Sequence, residues 1–185
     1  MTFDKEDVHR DALKPNKVVF ITGASGTMGQ ETLKQLLARS SRFNVRALVR
    51  DSKKNRDLMK KYRQPSLEVV WGDMSDYDTI LKCVTGADYV LHIGAMVSPM
   101  ADDHPKETLY TNIGSTLNII KAIKAQPDPD KVHFAYVGTV AMTGHRADPI
   151  QFGRVGDPIC PSIFDYYALS KVFSEMALFD SGLKH

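Results

Sequence analysis

From Lys17 onward, short apolar runs alternate with longer stretches in which apolar side chains recur every three or four residues. The runs at 18–22, 45–49, 67–71, 89–93 and 132–138 read as strands. The stretches at 27–38, 52–62, 76–84, 107–125 and 166–180 read as helices. In the first helix Leu33, Leu36 and Leu37 share one face, and no proline or glycine interrupts residues 30–38. Ser75-Asp76-Tyr77-Asp78 reads as a capping box at the start of the third. Several strands are apolar on consecutive positions, as strands buried on both faces require. Strand and helix in strict alternation predict an α/β fold, a parallel sheet covered by helices on both faces. No internal repeat or low-complexity tract interrupts the pattern. One long irregular stretch, 143–165, carries three prolines and three glycines, and loops of that length are often functional.

The ends of the chain fall outside this rhythm. Residues 1–16 are charged and lack an apolar core, so they read as a loose tail without a signal peptide. Residues 17–185 form a single domain. The last helix closes at Ser181-Gly182, and Leu183-Lys184-His185 has the look of another strand beginning. A longer protein, of which this is the first part, is the expectation.

Composition narrows the classes. Apolar and charged fractions of 43% and 25% are those of an ordinary globular domain. A net charge of +2 gives no argument for nucleic acid or an anionic membrane surface. No apolar run reaches the roughly 20 residues of a membrane span. Two cysteines, Cys83 and Cys160, make no disulfide framework and read as reduced thiols in a cytoplasmic protein. The six histidines include no H-E-x-x-H pair and there is no Cys-x-x-Cys, so no metal site is expected. No G-x-S-x-G elbow supports a hydrolase. His92, behind an apolar strand, reads as a packed structural histidine.

The chemistry begins at Thr22-Gly23-Ala24-Ser25-Gly26-Thr27-Met28-Gly29, between the first strand and the first helix. A helix N-terminus offers unpaired N–H groups and partial positive charge, and glycines let a pyrophosphate approach the backbone. Strand, glycine turn and helix in that order form the context a dinucleotide site needs. Tyr167 and Lys171 lie four residues apart, about 40° around a helix, hence on one face. Tyr166 is five residues away, about 140° around, and fits less well. A lysine ammonium beside a phenol favours the phenolate, which equips such a tyrosine to move a proton at a carbonyl or hydroxyl. Thr139, just past the fifth strand, falls at the C-terminal edge of the sheet, where ligands bind. It either hydrogen-bonds the reacting oxygen or caps the following turn.

Taken together and in order, these residues resemble the extended short-chain dehydrogenases/reductases. Gly23, Gly26 and Gly29, with Thr27 and Met28, match the cofactor glycines. Asp73 and Met74 in Gly72-Asp73-Met74 resemble the short acidic motif that contacts adenine. Ile93, Gly94 and Ala95 resemble the segment lining the cofactor after the fourth strand, though the family form is commonly richer in alanine. Asn112 matches the asparagine of the long helix, and Thr139, Tyr167 and Lys171 match the family's Ser/Thr, Tyr and Lys. Gly138 stands where many members carry a serine.

The resemblance implies a Rossmann-type doubly wound sheet that lacks the C-terminal strands and the substrate lobe. It implies a catalytic set of Thr139, Tyr167, Lys171 and Asn112. Tyr167 would be the acid/base and Thr139 would orient the substrate carbonyl. Asn112 would serve cofactor or proton traffic, and Lys171 would also bind the nicotinamide ribose. The cofactor would carry the hydride. It also implies a homodimer, paired through helices 107–125 and 166–180.

The end of the second strand bears on the choice of cofactor. Arg50, with Lys53 and Lys54 nearby and Arg46 upstream, favours a 2′-phosphate and hence NADP over NAD. Asp51 is the counterweight, an acid placed for a ribose hydroxyl if the strand ends two residues later. The same charges also suit a solvated helix start. Residues 45–51 look like those of NADP-preferring carbonyl reductases. The leading expectation is therefore an NADP-dependent oxidoreductase interconverting a carbonyl and an alcohol on a small molecule. The alternatives are a nucleotide-sugar epimerase or dehydratase with tightly held NAD, and a dinucleotide-sensing regulator without turnover.

Overall fold

The computed structural model describes residues 16–144, 156 and 158–183. Five strands, β1 (Lys17–Thr22), β2 (Phe43–Val49), β3 (Leu67–Trp71), β4 (Tyr89–His92) and β5 (His133–Tyr136), lie parallel in the order β3-β2-β1-β4-β5. The chain winds outward from β1 first one way and then the other, so the sheet is doubly wound, with its switch point between β1 and β4. Connecting helices are α1 (Thr27–Leu37), α2 (Lys53–Met59), α3 (Tyr77–Val84), α4 (Met100–Asp103), α5 (Pro105–Lys124) and α6 (Tyr166–Asp180).

The inner strands feed two cores because successive side chains leave opposite faces, while the edge strand β5 feeds only the first. Phe20, Leu48 and Val90 join α3 and α5 through Ile80, Val84, Ile119 and Ile123. Ile21, Ala47 and Val49 face the other way, onto Leu33, Leu37 and Met59 of α1 and α2. This is the two-face burial behind the consecutive apolar runs. Asp88 fixes the lower end of the sheet, accepting from the Val18 amide at 2.8 Å and from Lys17 Nζ at 2.6 Å.

Several boundaries differ from the sequence expectation. β2 begins two residues early because Phe43 pairs with Lys17. β4 and β5 stop at His92 and Tyr136, where the backbone leaves the ladder for the ligand edge. The cap of α3 is Asp76, whose carboxylate accepts from the Thr79 amide at 3.2 Å. Ser75, the residue expected to cap, instead donates its hydroxyl to Asp73 at 2.8 Å. The expected tail lies outside the described residues apart from Asn16, as does most of the 143–165 stretch. No described helix is long and apolar enough to cross a membrane.

Candidate functional site

The cleft opens at the switch point, above the carboxyl ends of β1 and β4. Gly23 adopts φ +72°, a left-handed conformation that favours glycine. A Cβ there would stand 2.7 Å from the backbone of Gly94, so the turns after β1 and β4 meet glycine on glycine. That contact accounts for Gly94 in a segment that is usually alanine-rich. Thr22 joins the two turns, its Oγ1 accepting from the Gly94 amide at 3.0 Å. The Gly26 amide closes onto the Gly23 carbonyl at 2.9 Å, and α1 starts from Gly26 with no side-chain cap. The first N–H groups of α1 therefore face the cleft without a side-chain acceptor.

The cleft has a volume of about 440 Å³. Its lining includes Gly23, Gly26, Thr27, Met28, Gly29, Arg50, Asp73, Met74, Ile93, Gly94, Ala95, Tyr167 and Lys171. Every cofactor residue matched to the family lines it except Asn112, while Lys53 and Lys54, expected near a 2′-phosphate, are outside the lining. Asp73 is shaped for the rim by Ser75, whose amide and hydroxyl both donate to its Oδ1, at 2.9 and 2.8 Å. Arg50 is 64% exposed, 3.6 Å from Asp73. Asp51 is engaged elsewhere, taking two hydrogen bonds from Arg56 at 2.6 and 2.7 Å. Arg56 in turn lies over the Trp71 ring, 4.7 Å from its centroid. Arg46 points away from the cleft, binding Glu68 at 2.7 Å and the Cys83 carbonyl at 2.7 Å. It holds the C-terminal end of α3, where a cation complements the helix dipole.

Tyr167 and Lys171, on the first turns of α6, reach the same cleft as the glycine turn. Asp165 sets that helix start by accepting from the Ala168 amide at 2.8 Å. Lys171 is 3% exposed, and burial pushes its ammonium down to about 8 against the opposing pull of Glu175. Thr139 is outside the lining; its hydroxyl accepts from the Ala141 amide at 3.3 Å and caps a short turn. Asn112 is also outside the lining and 2% exposed. It clamps the segment after β4, accepting from the Met96 amide at 2.7 Å and donating to the Met96 carbonyl at 3.0 Å. A further bond to Ser170 Oγ at 2.9 Å ties that segment to α6.

His92 sits beneath the cleft, 1% exposed, between Thr22 Oγ1 at 2.8 Å and Ser115 Oγ at 3.3 Å. Burial, with the Lys171 charge adding to it, pushes the imidazole down to about 3. The folded chain thus refuses a proton that the unfolded chain accepts near its ordinary value of 6.5. The resulting stability is fully present above about 6.5 and is lost as pH falls toward about 3. Melting temperature followed across that range is expected to fall steeply, and His92→Gln to flatten the slope. An equal slope in both proteins would contradict this.

The model of the NAD dependent epimerase/dehydratase family matches residues 19–183. The chain belongs to that family. Among similar proteins, UDP-glucose 4-epimerase of Rickettsia massiliae is 31% identical over 112 residues, covering 58% of this chain and 33% of its own length. The solved structure of Bordetella bronchiseptica WbmH in complex with NAD+ is 28% identical, with TM-score 0.76, over 91% of this chain and 54% of that one. The UDP-Glc/GlcNAc 4-epimerase of Campylobacter jejuni, 22% identical with TM-score 0.73 over 90% of this chain and 49% of that one, shares the fold. The chain thus spans only a third to about half of these relatives.

Family membership bears out the resemblance to extended short-chain dehydrogenases/reductases, a family of NAD-dependent enzymes. For an epimerase/dehydratase domain the residues present fit a dinucleotide: an uncapped helix start, a glycine turn closed on itself, and a cleft continuous to Tyr167. Seven lining residues are not among the site residues expected from the sequence: Thr22, Ser25 and Gly72 within the quoted motifs, and Leu48, Asn55, Val97 and Val137. Asn55 had a signal, since a polar residue in the first turn of the helix after β2 faces the same edge. It donates to the Arg50 carbonyl at 2.8 Å and shapes the rim. Val97 and Val137 carry no polar group that would single them out.

Proposed function

We propose that this chain supplies the cofactor site and the proton-transfer pair of an epimerase or dehydratase acting on a nucleotide-sugar. The observation carrying this reading is the placement of Tyr167 and Lys171 in the same cleft as the uncapped start of α1. The substrate class is supported by the relatives named UDP-glucose 4-epimerase. The turn 23–29 would hold the pyrophosphate, Asp73 and Met74 the adenine, and Lys171 the nicotinamide ribose. When bound, the nicotinamide supplies hydride chemistry. Tyr167 would take the proton from a sugar hydroxyl at its phenolic oxygen and return it. The buried ammonium of Lys171 supplies positive charge in a nearly dry site, where it counts for more than in water. Thr139 would orient the reacting oxygen by donating its hydroxyl proton, while a lone pair of the same oxygen accepts from the Ala141 amide. Asn112 serves by holding residues 96 and 170 in place.

A second reading, an NADP-dependent carbonyl reductase, is favoured by the end of β2. Asp51 is tied to Arg56, while Arg50 lies open at the cleft. That arrangement withdraws the acid that would oppose a 2′-phosphate and leaves the cation that would bind it. The test is purification followed by nucleotide analysis and assay. A retained NAD and interconversion of UDP-glucose and UDP-galactose are expected. Freely exchanging NADPH with turnover of simple carbonyls would replace the first reading by the second. Dinucleotide binding without turnover on either substrate class, in an intact full-length protein, would point to a sensing role.

The protein would pair through α5 and α6. Tyr110 and Leu117 of α5 and Phe173, Met176 and Phe179 of α6 are between 48% and 70% exposed. Apolar groups gathered on two packed helices favour an isologous contact. Light scattering is expected to give twice the chain mass, and Phe173→Glu to give the monomer. A monomeric wild-type mass would overturn the dimer.

A further inference from the structure

The ammonium of Lys171 does not sit in an empty cleft floor. It lies over the ring of Tyr136, 4.0 Å from the centroid. Tyr136 is the last residue of β5, and its hydroxyl donates to the Lys171 carbonyl at 3.4 Å. Ring, lysine backbone and lysine charge thus form one unit at the seam of β5 and α6. An aromatic face attracts a cation most strongly where water is excluded, as it is around a side chain 3% exposed. Glu175 follows Lys171 by one helical turn. Its Oε2 stands 3.6 Å from the point a Cβ on Gly138 would occupy. That is ordinary van der Waals distance, so the carboxylate is a neighbour of Gly138, two residues past the end of β5.

We propose that Tyr136 is a positioning residue for Lys171, its ring holding the ammonium at the floor of the cleft with Glu175 as the countercharge. The proposal rests on the reading above in which Lys171 meets the nicotinamide ribose. The titratable groups around the lysine come from three elements. β4 contributes His92, neutral in the fold. β5 contributes Tyr136, whose phenol burial pushes up, so the ring stays uncharged. α6 contributes Tyr167 and Glu175, and Glu175 holds Lys171 up against burial. α5 presents Asn112 and Ser115, which do not titrate.

The test is NMR of the whole chain carrying ¹³C-labelled lysine, with the Lys171 signal assigned by its loss in Lys171→Met. In the wild type the Lys171 ε-methylene protons are expected upfield of ordinary lysines, through the ring current of Tyr136, with a titration midpoint near 8. Tyr136→Phe keeps both features. Tyr136→Leu loses the upfield displacement and lowers the midpoint. Glu175→Gln keeps the displacement and lowers the midpoint by roughly one pH unit or more. NAD affinity at neutral pH is expected to fall about tenfold in Tyr136→Leu and to be retained in Tyr136→Phe.

A wild-type Lys171 that resonates and titrates as an exposed lysine would overturn the proposal, and so would a Tyr136→Leu signal identical to wild type. The wild-type spectrum decides even if the leucine variant does not fold. An intact ring-current signature in a protein that binds no dinucleotide would overturn the functional reading and leave the Tyr136–Lys171 contact standing.

Discussion

Gly29→Ala is expected to abolish dinucleotide binding, with affinity falling by more than about 100-fold, and to lower the melting temperature. A Cβ at this buried position would stand 1.9 Å from the Gly23 carbonyl oxygen, 2.6 Å from its carbon and 2.9 Å from Ala24 Cα. All three are backbone atoms, so no side chain can swing aside to make room. The first turn of α1 would have to lift off the end of β1. The Gly23 carbonyl cannot retreat freely, because Gly23 is packed against Gly94 and its oxygen holds the Gly26 amide at 2.9 Å. The N–H groups that would meet the pyrophosphate lose their common aim. Gly26→Ala is the control: its Cβ would meet only the Gly23 oxygen, at 3.4 Å, from an extended backbone that any residue adopts. That variant is expected to keep the fold. Calorimetric titration with NAD and NADP, beside thermal melts, measures both effects. A Gly29→Ala protein that binds like wild type would contradict the geometry of the turn.

Tyr167→Phe is expected to separate binding from chemistry. The ring remains, the helix cap at Asp165 is untouched, and the Ser170 hydroxyl still donates to the carbonyl of residue 167 at 2.7 Å. Only the phenolic oxygen is lost. Removing a positioned general acid/base costs typically 10²- to 10⁴-fold in rate. Nucleotide-sugar turnover should fall by about that factor, while NAD affinity stays within about threefold and the melting temperature is unchanged. Full turnover in the phenylalanine variant would remove Tyr167 from the mechanism.

Much of this site is legible in the sequence because its demands are local. A glycine turn between strand and helix sets Gly23, Gly26 and Gly29 at fixed offsets, with no room for a side chain at 23 or 29, and an i, i+4 pair puts Tyr167 and Lys171 on one face. The doubly wound order follows from the same alternation, since right-handed crossovers leave few ways to arrange parallel strands. What the sequence hides is which partner each polar or charged side chain meets in the fold. Arg46 lies in β2 and Arg50 one residue past its end, yet one supports α3 and the other opens to the cleft. Asp51 resembles a ribose-binding acid until Arg56 is seen to hold it. Asn112 carries a motif of the active-site helix, but its side chain is spent on Met96 and Ser170. Tyr136 is one more apolar position in the run 132–138, although it carries the charge of Lys171 on its ring.

The most direct test of the central claim, that the switch-point cleft is a nicotinamide dinucleotide site, uses the single tryptophan of the chain. Trp71 ends β3, one residue before Gly72 on the cleft lining. Titrating the protein with NADH and NADPH should give saturable energy transfer from Trp71 to the bound reduced nicotinamide for at least one of them. Competition by the matching oxidised cofactor and loss of the signal in Gly29→Ala are also expected. Folded wild-type protein giving no saturable signal and no calorimetric binding with either dinucleotide would contradict the account.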